Sequence, residues 1–173
     1  MKRTQTVLAA LFIAFSATGH ADGSPFQSFF SSIEGRWAGT GVVHQLGADG
    51  TVQDLNYKID IQADRSQQPD TWTLSNQLTT EAGAITQNLA AYTISGDLLL
   101  VSTQGSTEPV QIVQISPMGL TYTTQRTDFM TGRNYSFTFH VEIDASGNSI
   151  IGENTTQTNG VTIQDESFAA TRW

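Results

Sequence analysis

The sequence predicts an all-β protein, an antiparallel up-and-down β-barrel of about eight to ten strands with a short N-terminal helix. Three observations carry this. Apolar and polar residues alternate with period two from Gly35 to the C-terminus, as in strands with one face on a core. Each alternating run ends in a short turn signal, such as Gly47-Ala48-Asp49-Gly50 or Asn159-Gly160, which joins antiparallel neighbours. No connection is long enough to hold a crossover helix or a Greek-key loop. A meander that closes on itself and removes its own edges is therefore favoured over a two-sheet sandwich.

The chain opens with a segment outside this pattern. Lys2 and Arg3 precede an apolar run from Val7 to Ala17, and Thr18-Gly19-His20-Ala21 supplies the small residues of a cleavage site. Residues 1–21 read as a secretory signal peptide cut after Ala21, too short to span a bilayer, so a periplasmic or secreted location is expected. The remaining ~150 residues suffice for one domain with a sizeable core. Residues 22–34 are expected to form a short helical plug. Pro25 follows Ser24 at the first helical position, and Phe26, Phe29, Phe30 and Ile33 recur at helical spacing.

The barrel domain then occupies residues 35–173, beginning with a strand from Gly35 to Gln45. The next strand, Val52 to Gln62, puts Leu55, Tyr57, Ile59 and Ile61 on one face, and the third puts Trp72, Leu74, Asn76 and Leu78 on one face. Runs from Ile85 to Ile94 and from Leu98 to Val101 follow. After the turn Gln104-Gly105-Ser106 come Pro109 to Ile115 and Leu120 to Phe129. Tyr135, Phe137, Phe139, Val141 and Ile143 give the most regular inward face, and Ile150 to Gln157 and Val161 to Trp173 complete the set.

The chain has no cysteine, so neither a disulfide nor a Cys-linked lipid can hold it, and its core must carry the stability. Sixteen acids against eight basic residues give a net charge of −8, and loss of Lys2 and Arg3 makes the domain more acidic still. Too few cations remain to neutralise phosphates, which excludes nucleic acid as a partner.

Ile33 to Gly41 reads I-E-G-R-W-A-G-T-G, with Gly35 and Trp37 heading the first strand. In this the chain resembles the calycin superfamily, which includes the lipocalins and lipocalin-like bacterial exported β-barrels. The resemblance implies that Trp37 fills the closed end of the barrel and that Arg172, from the last strand, packs across its ring. Gly35, Trp37 and Arg172 thus have structural roles by resemblance, and the interior is expected to take a small molecule. A weaker likeness to nitrobindin-type ten-stranded haem barrels would require an inward histidine. Strand parity turns His44 and His140 outward. With no histidine or cysteine cluster for zinc, neither a metal nor another cofactor is expected.

The run from Leu120 to Phe129 lacks a continuous apolar face. If Leu120 and Tyr122 face inward, Thr124, Arg126 and Asp128 follow, and a charge there must be paired or solvated. Arg126 then either anchors an acidic or carbonyl head group or makes an ordinary cross-strand pair with Asp128 or Glu153. The expected ligand-binding residues are Tyr57, Trp72, Tyr122, Arg126, Phe137 and Phe139. No nucleophile elbow or Ser/His/Asp order is visible, and the acids Asp128, Glu142 and Glu153 form no motif, so no catalytic residue is assigned.

The expected function is an exported soluble lipocalin-like barrel binding a small, mostly apolar or amphipathic molecule. The alternative is a cofactor-independent enzyme, a cyclase, isomerase or hydrolase, using Arg126, Asp128 and Glu153 in the cavity. Integral membrane insertion is not expected. Asp165, Ser167 and Thr171 share the face of Trp173, where a lipid-facing band would be apolar.

Overall fold

The computed structural model describes residues 24–103, 106–128 and 130–173; the expected signal peptide, residues 1–21, lies outside them. A helix, α1 (Pro25–Ile33), is followed by β1 (Gly35–Leu46), β2 (Val52–Arg65), β3 (Thr71–Thr80), β4 (Ile85–Ser95) and β5 (Leu98–Thr103). Then come β6 (Ser106–Pro109), β7 (Gln111–Ser116), β8 (Gly119–Thr127), β9 (Asn134–Ile143), β10 (Ser149–Thr158) and β11 (Val161–Arg172). All eleven strands belong to one sheet, in the order β6-β5-β4-β3-β2-β1-β11-β10-β9-β8-β7. The first and last long strands pair antiparallel, with Trp37 opposite Arg172, and this joins the ends of the meander into a nearly closed barrel.

One expectation needs correction: closure does not remove the edges, because among the described residues the sheet ends in β6 on one side and β7 on the other. The run predicted from Pro109 to Ile115 is the middle of a longer stretch that changes partners. Its first part, β6, pairs with β5, and its second part, β7, pairs with β8. Pro109 and Val110 lie at the change. Proline has no N–H to offer a continuing ladder, and Val110 donates back to the Leu99 carbonyl at 3.0 Å. In β7 the register shifts between Ile112 and Gln114, so exposed Val113 is the extra residue of a bulge. That bulge lets Ile112 and Ile115, three apart, both pack on the core.

The helix closes one end. Ser24 caps it by accepting from the Gln27 amide at 3.3 Å, and Pro25 occupies the first turn, where its missing N–H costs nothing. Its buried face is Phe29, Phe30 and Ile33, and it packs against β7 beside the seam. A helix end leaves carbonyls without partners. Here the barrel supplies them: Trp37 Nε1 donates to the Ile33 carbonyl at 2.8 Å, and Arg172 Nη2 donates to the Ser32 carbonyl at 2.6 Å. The Arg172 guanidinium carbon lies 4.4 Å from the Trp37 ring centroid, within cation-π range. Trp37 is 0% exposed, and Gly35 precedes it with φ +120°, a conformation that side chains other than glycine's resist. Trp72 Nε1 donates to Glu34 Oε1 at 2.9 Å, so a second indole ties down the helix exit.

Trp37→Ala is expected to lower stability by about 3 to 5 kcal/mol in urea denaturation, as truncation of a buried aromatic does. Gly41 faces the barrel interior opposite both Tyr57 and Phe168, and a Cβ there would collide with the Tyr57 ring and the Ser167 carbonyl. Gly41→Ala should therefore cost about 1 to 3 kcal/mol in the same measurement.

Candidate functional site

The barrel encloses a cavity of about 850 Å³. Strand parity selects its lining, and position along the strands sets the depth. Near α1 the walls are apolar: Phe30, Trp37, Ile61, Leu120, Val141 and Ile150. Towards the far end, the mouth, they become polar, with Asn76, Asn88, Thr124, Arg126, Gln164 and Glu166. Asn88 donates to Asn76 across the β3–β4 pair at 3.0 Å. The mouth opens at the seam. The Ile85–Leu89 half of β4 pairs with β3 and has no partner strand on its other side among the described residues. On the facing side, β8 from Thr124 onward pairs with β9 alone.

Of the expected ligand-binding residues, Tyr122, Arg126, Phe137 and Phe139 line this cavity. Tyr57 and Trp72 stand behind it. The Tyr57 ring crosses the space left by Gly41, and its hydroxyl donates to Glu166 Oε1 at 2.6 Å. Trp72 lies under Phe30, stacked with ring centroids 5.1 Å apart. Both shape the wall through a neighbour instead of facing the space.

The charged residues divide differently from the sequence-based grouping. Arg126 is exposed at the mouth and, among the described residues, forms no ion pair. Asp128 is not an interior group, because β8 ends at Thr127 and the chain turns there. Its carboxylate accepts from the Thr131 hydroxyl and the Met130 amide, both at 2.8 Å, which holds it below the usual carboxylate range. Glu153 is on the outer face opposite His140. Arg126, Asp128 and Glu153, the three residues of the enzymatic alternative, therefore do not converge. His44 is outward, 2.7 Å from Asp54, and His140 is outward, 2.7 Å from the Thr121 hydroxyl.

Two groups that the sequence reading passed over lie in the cavity wall. Glu166 accepts from Tyr57 and, through Oε2, from Asn154 Nδ2 at 3.1 Å. Its place was readable: if Arg172 covers Trp37, every second residue back along β11, including Glu166, faces inward. Tyr92 projects from β4 to within 3.3 Å of the Tyr122 hydroxyl. Before it the alternate positions of β4 are Thr86, Asn88 and Ala90, with Ile94 after it, so the apolar part of the inward face is short.

Burial, then the Glu166 hydrogen bond, pushes the Tyr57 hydroxyl far above its ordinary value of 10.0. Burial also raises Tyr92, and burial together with the neighbouring Tyr92 raises Tyr122 well above the ordinary value. A phenol whose folded pKa exceeds its unfolded one contributes stability that is fully present below the unfolded value and declines as pH rises past it. Urea stability should thus fall as pH climbs above about 10, by at most about 1.4 kcal/mol per pH unit for each fully buried phenol. Tyr122→Phe should flatten that slope.

No protein-family model matches the chain, and no curated protein sequence matches it. Among solved structures it is similar to a DUF3598-family protein of unknown function from Nostoc punctiforme, with 12% identity and a TM-score of 0.55. That alignment covers 83% of this chain and 49% of the other, so the chain spans about half the length of that protein. It also aligns with an S-type phycobiliprotein lyase from Guillardia theta (10% identity, 83% and 89% of the two chains, TM-score 0.49). A redesigned β-barrel bound to DFHBI aligns at 15% identity over 84% and 99% of the two chains, with a TM-score of 0.41. Of these three, the first is close enough in shape to bear on the fold, and at this identity it bears on nothing else. The chain is an all-β barrel of eleven antiparallel strands with a helix across one end.

Proposed function

We propose that this is an exported lipocalin-like protein of the calycin type that holds a small, mostly apolar or amphipathic molecule inside its barrel, in the periplasm or outside the cell. One observation carries the binding reading: a cavity of about 850 Å³ with an apolar floor and a polar mouth. That size and polarity gradient suit a small organic ligand. The apolar body of such a molecule fits between Phe30, Leu120, Tyr122 and Phe139, and Arg126 at the mouth offers a planar pair of donors to an acidic or carbonyl head group. Support for the calycin reading is the Gly35-x-Trp37 pair with Arg172 over the indole. Support for export is the basic, apolar and small-residue sequence of residues 1–21.

Native mass spectrometry of protein purified from its own host should find a retained small molecule. In a defined assay, the barrel should bind anilinonaphthalene sulfonate, an anionic amphiphile, with enhanced fluorescence. Arg126→Ala is expected to weaken the sulfonate about tenfold while changing uncharged anilinonaphthalene by less than about twofold, since a charge-assisted contact of about 1.4 kcal/mol is lost. A barrel that retains no molecule and takes up neither dye is not a small-molecule carrier.

A further inference from the structure

Tyr92, on β4, and Tyr122, on β8, reach toward each other across the inside of the barrel from the two sides of the seam. Both line the cavity, and they are 5% and 7% exposed. Phe30 packs 5.2 Å from the Tyr92 ring and Phe139 packs 5.0 Å from the Tyr122 ring, measured between centroids. Among the described residues, each hydroxyl has the other as its hydrogen-bond partner. Both phenols are protonated at neutral pH, and burial raises both further from titration.

Two hydroxyls carry two protons, and a single hydrogen bond between them uses one. Whichever tyrosine donates, the other's O–H has no acceptor among the described residues, in surroundings where an unmade hydrogen bond is unfavourable. Two phenylalanines would fill the same volume without that penalty. The bond that does exist is also long: 3.3 Å between oxygens, against about 2.7 to 2.8 Å for a typical O–H···O contact. It is weak enough to be exchanged for a better one. A third oxygen with lone pairs and no proton of its own accepts from one hydroxyl or from both. A carboxylate is disfavoured there because no cation is at hand to offset its desolvation.

We propose that the Tyr92–Tyr122 pair is a recognition site for a neutral carbonyl oxygen at the deep end of the ligand. This rests on the binding function proposed above and narrows it. The ligand is an apolar molecule that enters carbonyl first. Any acidic group it carries is left at the mouth with Arg126.

Fluorenone and fluorene test this, because they share one ring skeleton and differ in the carbonyl. The expected result is that Tyr92→Phe/Tyr122→Phe raises the Kd of fluorenone about tenfold and changes that of fluorene by less than about twofold. The infrared carbonyl band of bound fluorenone should lie at lower frequency in the wild-type protein than in the double variant. Fluorene binding also reports that the variant is folded. If the double variant does not fold, each single variant, which keeps one donor, should move the band part of the way. Equal losses for both compounds, or a band that none of these substitutions moves, would overturn the carbonyl assignment and leave the binding reading intact. A wild-type barrel that binds neither compound would overturn the carbonyl assignment, and one that also retains no host molecule and takes up neither dye would overturn both.

Discussion

The structure depends on how the helix end is tied to the barrel. The last carbonyls of α1 cannot be satisfied within the helix, and the Ile33 carbonyl is buried against the barrel's closed end, where an unpaired acceptor is costly. Trp37 answers the Ile33 carbonyl and Arg172 answers the Ser32 carbonyl. These two residues are also cross-strand partners in the pairing that joins β1 to β11. One cluster therefore closes the sheet, seats the plug and fills the floor of the cavity. The glycine before Trp37 allows the chain to leave the helix and enter the strand without a linker. Nothing in the cluster is free to act on a ligand, and recognition falls to the residues above it.

Above the floor, the alternation that built the strands also sets the chemistry of the interior. Bulky apolar side chains crowd the helix end, and shorter polar ones take over toward the mouth. Where glycine interrupts the inward face, a neighbour uses the room. Tyr57 lies across Gly41, and Phe168 lies against the site where Gly152 would carry a Cβ. Such substitutions across strands explain why Tyr57 belongs to the wall even though its parity matches that of lining residues. They also hold Glu166 in one orientation through its bond to Tyr57.

The strand inventory was legible in the sequence because period-two alternation and turn residues are local signals, and β1 to β4 and β8 to β11 follow them closely. The seam was not legible. A strand that pairs first on one side and then on the other keeps a single extended pattern, so Ser106 to Ser116 gave no hint of where its partner changes except Pro109. For the cavity, the clear inward face of β9 located Phe137 and Phe139, and carrying the parity of Leu120 forward along β8 located Tyr122 and Arg126. It failed for Asp128, since a strand's end is set by the turn that follows it. Tyr92 escaped because the same face of β4 before it carries Thr86, Asn88 and Ala90, and Ile94 after it is too short a run to mark an inward face; its role appears once β4 and β8 are brought face to face.

The strand order has a kinetic consequence. Along the sheet, almost every hydrogen-bonded neighbour is also the next strand in the chain, so those pairings close short loops. The exception is β1 with β11, which brings together Trp37 and Arg172 from near the two ends of the domain. Loop-closure entropy is thus concentrated in a single long-range event. Hairpins on either side can form early and independently, but without that event they remain a curled, open sheet. The longest loop closure in the sheet is the one that brings β1 to β11, and the indole-guanidinium contact lies where they meet.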